Sequence, residues 1–547
     1  MVKNKNFTIL PALLMVIYIV AMFYMPPERK LTHFHEEIKA VLPSIEMKIN
    51  SEKCIPTIKG EPFLIKPQGI SLYYLFFIDT LNIKPTIKNL YILDQVPNLL
   101  FIILLLLILT AEFGFSGAMK MTLLYICTSE VIRRFSVIYP DNFFIPLVFL
   151  NIAVIYIFLK RGKPRLLLYI SYSLCALAFL FKGLPAIPFH VISLVAGYVL
   201  FRQWRRLFSV HHLLAILLSV LIAFSPFIVT GNIERIPELL VTLRSITLFH
   251  FNEYYAPFSF WQHLFYFPFA TVVMFFPFTV LITLFVFRRT YRIINDNSIA
   301  KYSVIVFVLN YAVYYFSSKP QVQYISSLIP FLIICLYVIY TKSSTGKKQF
   351  ADIILAATAF IIIALMLFLS FKPDLVPQVF IHQKWTFIII VMLVSIVLAL
   401  LYIRLEQLRI VIICSVFIFA GFFFLRLPTA KTQQSYKWVA RQEAQAKKLC
   451  SMAKGNKIYT YNMKTYWNED LLYYLTLENN QINFEKYYQG DKPKYILINK
   501  DQISHLCPDT SQCRIVAEEE IFYYDLKEVA GGPDSPLRKG KCLLIVL

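Results

Sequence analysis

The stretch FTILPALLMVIYIVAMFYM, residues 7–25, runs for nineteen positions without a charge. Wound as a helix at about 1.5 Å per residue, it reaches roughly 28 Å, close to the thickness of a bilayer's hydrocarbon core. It is too long for the apolar core of a secretory signal and lacks a small-x-small cleavage site, so it reads as an anchored helix. Apolar runs recur near 95–113, 120–137, 142–159, 166–181, 186–201, 211–230, 262–287, 302–317, 322–340, 350–371, 385–403 and 408–426. The sequence therefore predicts a mainly α polytopic membrane bundle of about thirteen transmembrane helices. The run ISLYYLFFI (70–78) is too short to cross and reads as an interfacial helix.

Composition agrees. The 547 residues are 58% hydrophobic, with mean hydropathy +0.61. No GxGxxG, P-loop, HExxH or GxSxG stretch occurs, which sets aside soluble nucleotide-binding and hydrolase readings. The net charge of +22 invites a nucleic-acid reading, but the basic residues sit in alternate loops. Lys160, Arg161, Lys163 and Arg165 form one group; Arg202, Arg205 and Arg206 the next. Arg288, Arg289, Arg292 and Lys301, then Lys342, Lys347 and Lys348, then Arg404 and Arg409 continue the series. That is the positive-inside pattern, and no nucleic acid is expected as a partner. With the basic MVKNK inside and an odd span count, the outer face receives 26–94, 138–141, Lys182, 231–261, 318–321, 372–384 and everything after about 427. Polar and ionisable residues are concentrated there. Counting ISLYYLFFI as a span would invert every later loop.

After the transmembrane part (1–426) the composition changes. KIYTYN (457–462), KYILIN (494–499), IFYYDL (521–526) and CLLIVL (542–547) read as strands, with NEDLLYYLTLE (468–478) as a helix between the first two. Residues 427–547 are thus expected to form a small extracytoplasmic α/β domain. Of nine cysteines, Cys127, Cys175, Cys335 and Cys414 lie in apolar runs. Outside them lie Cys54, Cys450, Cys507, Cys513 and Cys542, among which Cys507–Cys513 is the easiest pair to close.

Chemistry gathers in the first outer segment. THFHEEIKAVLPS (32–44) carries His33, His35, Glu36 and Glu37; GEPFLIKPQG (60–69) carries Lys66. A carboxylate there can take a proton from an acceptor hydroxyl. A lysine at an apolar boundary can hold the phosphate of a lipid-linked substrate, or simply snorkel to head groups.

The motifs resemble those of polyprenyl-phosphate-sugar-dependent glycosyltransferases of the C-type membrane superfamily, nearest the aminoarabinose–lipid A transferases and then the dolichyl-phosphate-mannose–protein mannosyltransferases. Those families place an acidic pair after the first helix, matched by Glu36 and Glu37, and a segment like G-x-x-Y/F-x-x-K-P-P, matched by GEPFLIKPQ (60–68). An aspartate opening the fourth helix is matched in YPDNFF (139–144), and L-A-F-L-x-K-G-x-P by LAFLFKGLP (177–185), the most specific element. A loop histidine is matched in LFHFNEYY (248–255), and R-Y-x-x-P-x-x-P loosely by QYISSLIP (323–330). The elements are in order over residues 7–340. This chain departs from the pattern with Glu for Asp at the pair, Gln68 for the second proline and Gln323 for the late arginine. Ile65 stands where the aminoarabinose enzymes carry an acid able to share a metal with the loop histidine.

The resemblance implies an inverting, metal-independent transferase in a bacterial inner membrane. It would pass a sugar from a polyprenyl-phosphate donor to an envelope acceptor (a lipid A-like glycolipid, a glycan or a protein) at the periplasmic face. Glu36, then Glu37, is the expected base, with Asp141 either in the site or favouring its helix N-terminus. Lys66, Lys182, Arg133 and Arg134 are the expected donor-phosphate cations, and His250 and Tyr324 the expected substrate-loop residues. No cofactor is certain; a divalent metal held by His33, His35 or His250 stays open as the lesser alternative, on a spacing that fits no established ligand pattern. A transporter or flippase of a lipid-linked or anionic substrate is the competing class. It is disfavoured by the absence of an internal repeat and by only 15 glycines.

Overall fold

The computed structural model describes residues 9–24, 34–51, 53–58, 61–64, 66–135, 137–251, 260–286, 288–316, 322–370, 384–425, 430–454, 456, 458–461, 469–479, 495–500, 503, 513–523 and 538–546. The bundle begins with α1 (Ile9–Tyr24) and the pair α2 (Phe34–Ile49) and α3 (Gly69–Leu75), with strands β1 (Thr57–Ile58) and β2 (Glu61–Pro62) between them. Then follow α4 (Ile87–Ile126), α5 (Ser129–Arg134), α6 (Asp141–Lys160), α7 (Pro164–Lys182), α8 (Ala186–Leu200) and α9 (Val210–Val229). Next come α10 (Ile236–Phe251), α11 (Phe260–Met274), α12 (Arg288–Asn295), α13 (Ser298–Tyr315), α14 (Ile329–Lys342), α15 (Thr345–Ser370), α16 (Lys384–Arg404) and α17 (Arg409–Leu425). The C-terminal part holds α18 (Ala430–Met452), β3 (Ile458–Tyr461), α19 (Glu469–Asn479), β4 (Tyr495–Asn499), β5 (Arg514–Tyr523) and β6 (Arg538–Val546).

Over its described residues each of the thirteen expected apolar runs is mainly helical, but not always as one straight helix. The runs 95–113 and 120–137 share α4, which breaks at Gly114, where φ is +69°, and continue into α5. A positive φ suits glycine alone without cost, so the break follows from the residue. The run 262–287 becomes two helices bent by 116°. Among the described residues seven helices are long and apolar enough to cross a membrane, eight if that bent pair is one span. The others are shorter apolar helices, such as Ala186–Leu200 and Arg409–Phe424. ISLYYLFFI forms α3 and a turn of π-helix, Phe76–Thr80.

Ion pairs sort the helix ends into two sets. The basic loops gather at one: Lys160 bonds Glu112 at 2.6 Å, Tyr156 meets Ser298 at 2.9 Å, and Arg409 and Tyr340 both bond Asp352. The other end carries α2, α3, the 138–141 turn, Lys182 and the C-terminal elements. The charge alternation in the sequence demands this two-ended arrangement.

The C-terminal sheet has the order β3-β4-β6-β5. The parallel β3–β4 pair needs a crossover, which α19 supplies; β6 runs antiparallel to β4 and β5. The strand expected at 521–526 begins earlier, at Arg514, because charged residues such as Glu518 and Glu520 mask its alternation. Leu497 and Leu544 join a core with Ala446, Leu449 and Leu471, and the same core takes in Val41, Ile70, Tyr74, Leu90, Ile138 and Phe143. Tyr473 donates to the Pro85 carbonyl at 3.0 Å. The helix α18, absent from the sequence reading, contributes Ala446 and Leu449 to this joint.

Candidate active site

Two motifs far apart in the chain meet at the end opposite the basic loops. Gly69 lies against α7 so closely that a Cβ there would come within 2.5 Å of the Leu180 carbonyl oxygen. Gly183, at φ +81°, ends α7, and a Cβ on it would lie 3.4 Å from Pro67 Cγ. The segment Lys66–Pro67–Gln68–Gly69 is thus seated on the Phe181–Lys182–Gly183 turn. Lys66 is half-buried and Gln68 fully buried, with neither amide atom of Gln68 bonded among the described residues. Leu243 of α10 also reaches Gly183.

Lys182 at the end of α7 forms an ion pair with Asp141 at the start of α6. Both side chains are largely buried, at 13% and 4% exposed. Lys182 Nζ also stands 4.4 Å from the Tyr324 ring centre and 5.0 Å from that of Phe144. The N-cap of α6 is Pro140, which makes no side-chain cap, and Asp141 in the first turn pairs with the lysine.

A second network adjoins. Arg133 donates twice to Glu130, both bonds 2.9 Å, and to Gln323 Oε1 at 3.3 Å. Gln323 Nε2 donates to the Tyr139 hydroxyl at 2.6 Å, and Ser326 donates to Glu130 at 3.3 Å. Glu130 is 1% exposed, so its charge is tolerable only because Arg133 and Ser326 meet it. Beneath the turn, buried Asp94 accepts from Tyr74 at 2.9 Å, from the Tyr139 amide at 3.3 Å and from Asn142. It pins the start of α6 to α3. Burial, and after it the Asp94 carboxylate, raises the pKa of Tyr73, which donates to the Leu93 carbonyl.

Of the residues expected from sequence, Asp141, Lys182, Arg133 and Tyr324 are tied together through these contacts, with Lys66 on the adjoining segment. Arg134 is not among them: it is 1% exposed and donates to Tyr125 at 2.6 Å. Successive helical residues point about 100° apart, and here the two guanidinium groups take different partners, Gln323 and Glu130 for Arg133 and Tyr125 for Arg134. Glu36 and Glu37 open α2 and His250 lies in α10, but their side chains, and all of His33, lie outside what is described. Glu130, Asp94, Tyr139 and Gln323 were not expected as site-builders. The signal for Glu130 and Asp94 was present as acids within or at the edge of apolar runs. No group of three or more metal-ligating side chains occurs among the described residues. Ile65 carries no side-chain atom able to ligate a metal.

Residues 73–229 match the model of the dolichyl-phosphate-mannose-protein mannosyltransferase family. The crystal structure of ArnT from Cupriavidus metallidurans in the apo state superposes with a TM-score of 0.66 at 16% identity, covering 98% of this chain and 97% of that one. The chain has the ArnT fold. The same protein bound to undecaprenyl phosphate gives a TM-score of 0.62 over the same coverage, again at 16% identity. No curated protein matches the sequence. The resemblance to C-type membrane glycosyltransferases read from the motifs holds, in a divergent form.

Proposed function

We propose that the protein is an inverting glycosyltransferase that moves a sugar from a polyprenyl-phosphate donor to a cell-envelope acceptor at the outer face of the cytoplasmic membrane. The observation that carries this reading is the junction of Lys66–Gly69 with the Lys182–Asp141 pair, beside the Arg133–Glu130–Gln323 network, at one end of an apolar bundle. Cations at the rim of a membrane suit a leaving group that is a lipid monophosphate. The ArnT structure with undecaprenyl phosphate supports this class of donor.

The acceptor hydroxyl oxygen attacks the anomeric carbon from the side opposite the phosphate. The bond from that carbon to the phosphate oxygen breaks, and the lipid monophosphate departs with the electron pair. Glu36, or Glu37 beside it, takes the hydroxyl proton. Lys66 and Lys182 meet the growing charge on phosphate; Asp141 holds Lys182 at the rim until phosphate competes for the ammonium. Arg133, with its fork held by Glu130, steadies the Gln323–Tyr139 wall. The buried Gln68 amide, next to Lys66, is available to a polar group of the donor.

The test is reconstitution in liposomes with a panel of polyprenyl-phosphate sugars, alongside mass spectrometry of envelope lipids and glycans from cells with and without the protein. Release of polyprenyl phosphate together with a glycosylated acceptor is expected. Movement of intact donor between leaflets without transfer would replace this reading by that of a flippase, for which the 116° bend between Trp261–Met274 and Phe278–Phe285 is a favourable feature.

A further inference from the structure

Arg134 leaves the site network and turns into the helix core, where it is 1% exposed. Of its guanidinium nitrogens, Nη2 donates to the Tyr125 hydroxyl, while Nε and Nη1 have no hydrogen-bond partner among the described residues. Tyr18 of α1 is fully buried, and its hydroxyl is likewise unpartnered among them. Tyr18 lies within electrostatic reach of Arg134, Tyr125, Cys127 and Tyr91, and packs edge-on against Phe135 at 5.5 Å.

The inventory is one-sided. Tyr125 accepts from Arg134, so its own proton points elsewhere. Tyr18 offers a second hydroxyl proton, and Arg134 two N–H groups. Tyr91 already donates to the Phe135 carbonyl. Glu130, whose field reaches Tyr125, is committed to Arg133 and Ser326. Among the described residues the locality therefore has donors and one unmatched positive charge. A buried charge without a counterion is among the most costly arrangements in a protein, and an unmet donor adds to it. Burial of Arg134, Tyr18 and Tyr125 is all but complete, which fits a compact ion rather than a bulky oxyanion or a head group.

We propose that Arg134, Tyr18 and Tyr125 form a binding site for a small monoanion of the halide class, chloride being the abundant example. It neutralises Arg134 and ties α1 to α4 and α5. The site is separate from the sugar-transfer machinery and does not depend on that assignment.

The experiment is thermal unfolding of the detergent-solubilised full chain in sodium chloride and in sodium gluconate at equal ionic strength. A saturable rise of several degrees in Tm with chloride is expected. It should disappear in Arg134→Met and persist in Arg133→Met. Because Arg134→Met could fail to fold, the unaltered protein is also crystallised in sodium bromide. An anomalous peak within hydrogen-bond reach of Arg134 and Tyr18 is expected. Equal Tm in both salts, retention of the chloride effect in Arg134→Met, or bromide crystals with no peak beside Arg134 would each overturn the proposal.

Discussion

Asp141 and Lys182 are 41 residues apart and largely buried against each other. Removing one partner leaves the other charged and poorly solvated, a loss of about 3–5 kcal/mol for a well-buried pair. Asp141→Asn should lower the unfolding temperature and raise the donor KM by freeing Lys182 to move. Asp141→Asn with Lys182→Met should lose less stability than the sum of the single changes; strict additivity in a double-mutant cycle would show that the pair is not coupled. Glu36→Gln keeps size and most hydrogen bonding but cannot take a proton. Turnover should fall about 10²- to 10⁴-fold while donor binding remains, measured by single-turnover transfer with Glu37→Gln in parallel. Full activity in both variants would remove the carboxylate base. Cys450 offers a pH test outside the bundle. Burial, with Glu478 behind it, pushes its thiol up to about 11. Its alkylation rate, followed by peptide mass spectrometry, should keep climbing above pH 9 rather than level off. A thiol raised in the fold favours folding below the ordinary thiol range, and that contribution is lost as pH climbs towards 11.

Among elements, the contact of α3 with the end of α7 is set by one missing side chain. At Gly69 a Cβ would stand 2.5 Å from Leu180 O and 2.8 Å from its carbonyl carbon, and backbone cannot swing aside. Gly69→Ala should therefore push the Lys66 segment off the Lys182 turn, costing about 1–3 kcal/mol and most of the transfer activity. Gly421 is the control, since its Cβ would meet side chain and not backbone, Ile132 Cδ1 at 2.4 Å and Cγ2 at 3.0 Å. Gly421→Ala should cost less and leave the donor KM unchanged. Equal losses in the two variants, read by thermal unfolding and donor titration, would show that the α3–α7 contact has no special bearing on the site.

At the level of the whole molecule, the C-terminal sheet and the segment around 40–93 share one apolar core. Ending the chain near residue 427 should expose Tyr74, Leu90 and Phe143, make the 34–93 segment sensitive to proteolysis, and abolish transfer. Survival of a protease-resistant, active shortened chain would show that the two parts are independent. The same packing puts the C-terminal elements on the end that carries Lys182. If that end is extracytoplasmic, a reporter active only in the cytoplasm should be silent when fused after Leu547, and a strong signal would reverse the orientation of the site.

The amino-acid sequence by itself determined the helical membrane character, the alternation of basic loops and the strands after residue 427, because these depend on local period and on transfer from water. It also placed Lys66, Asp141 and Lys182 in recognisable motifs. Tertiary structure alone decided that Asp141 pairs with Lys182, that Gln323 bridges Arg133 and Tyr139, and that Gly69 seats one motif on another. It decided too that neighbouring arginines part company, Arg133 towards the rim network and Arg134 into the core. The Asp141–Lys182 and Arg133–Gln323 pairings join side chains 41 and 190 positions apart. Which of them meet is fixed by how helices pack, and no periodicity along the chain records it.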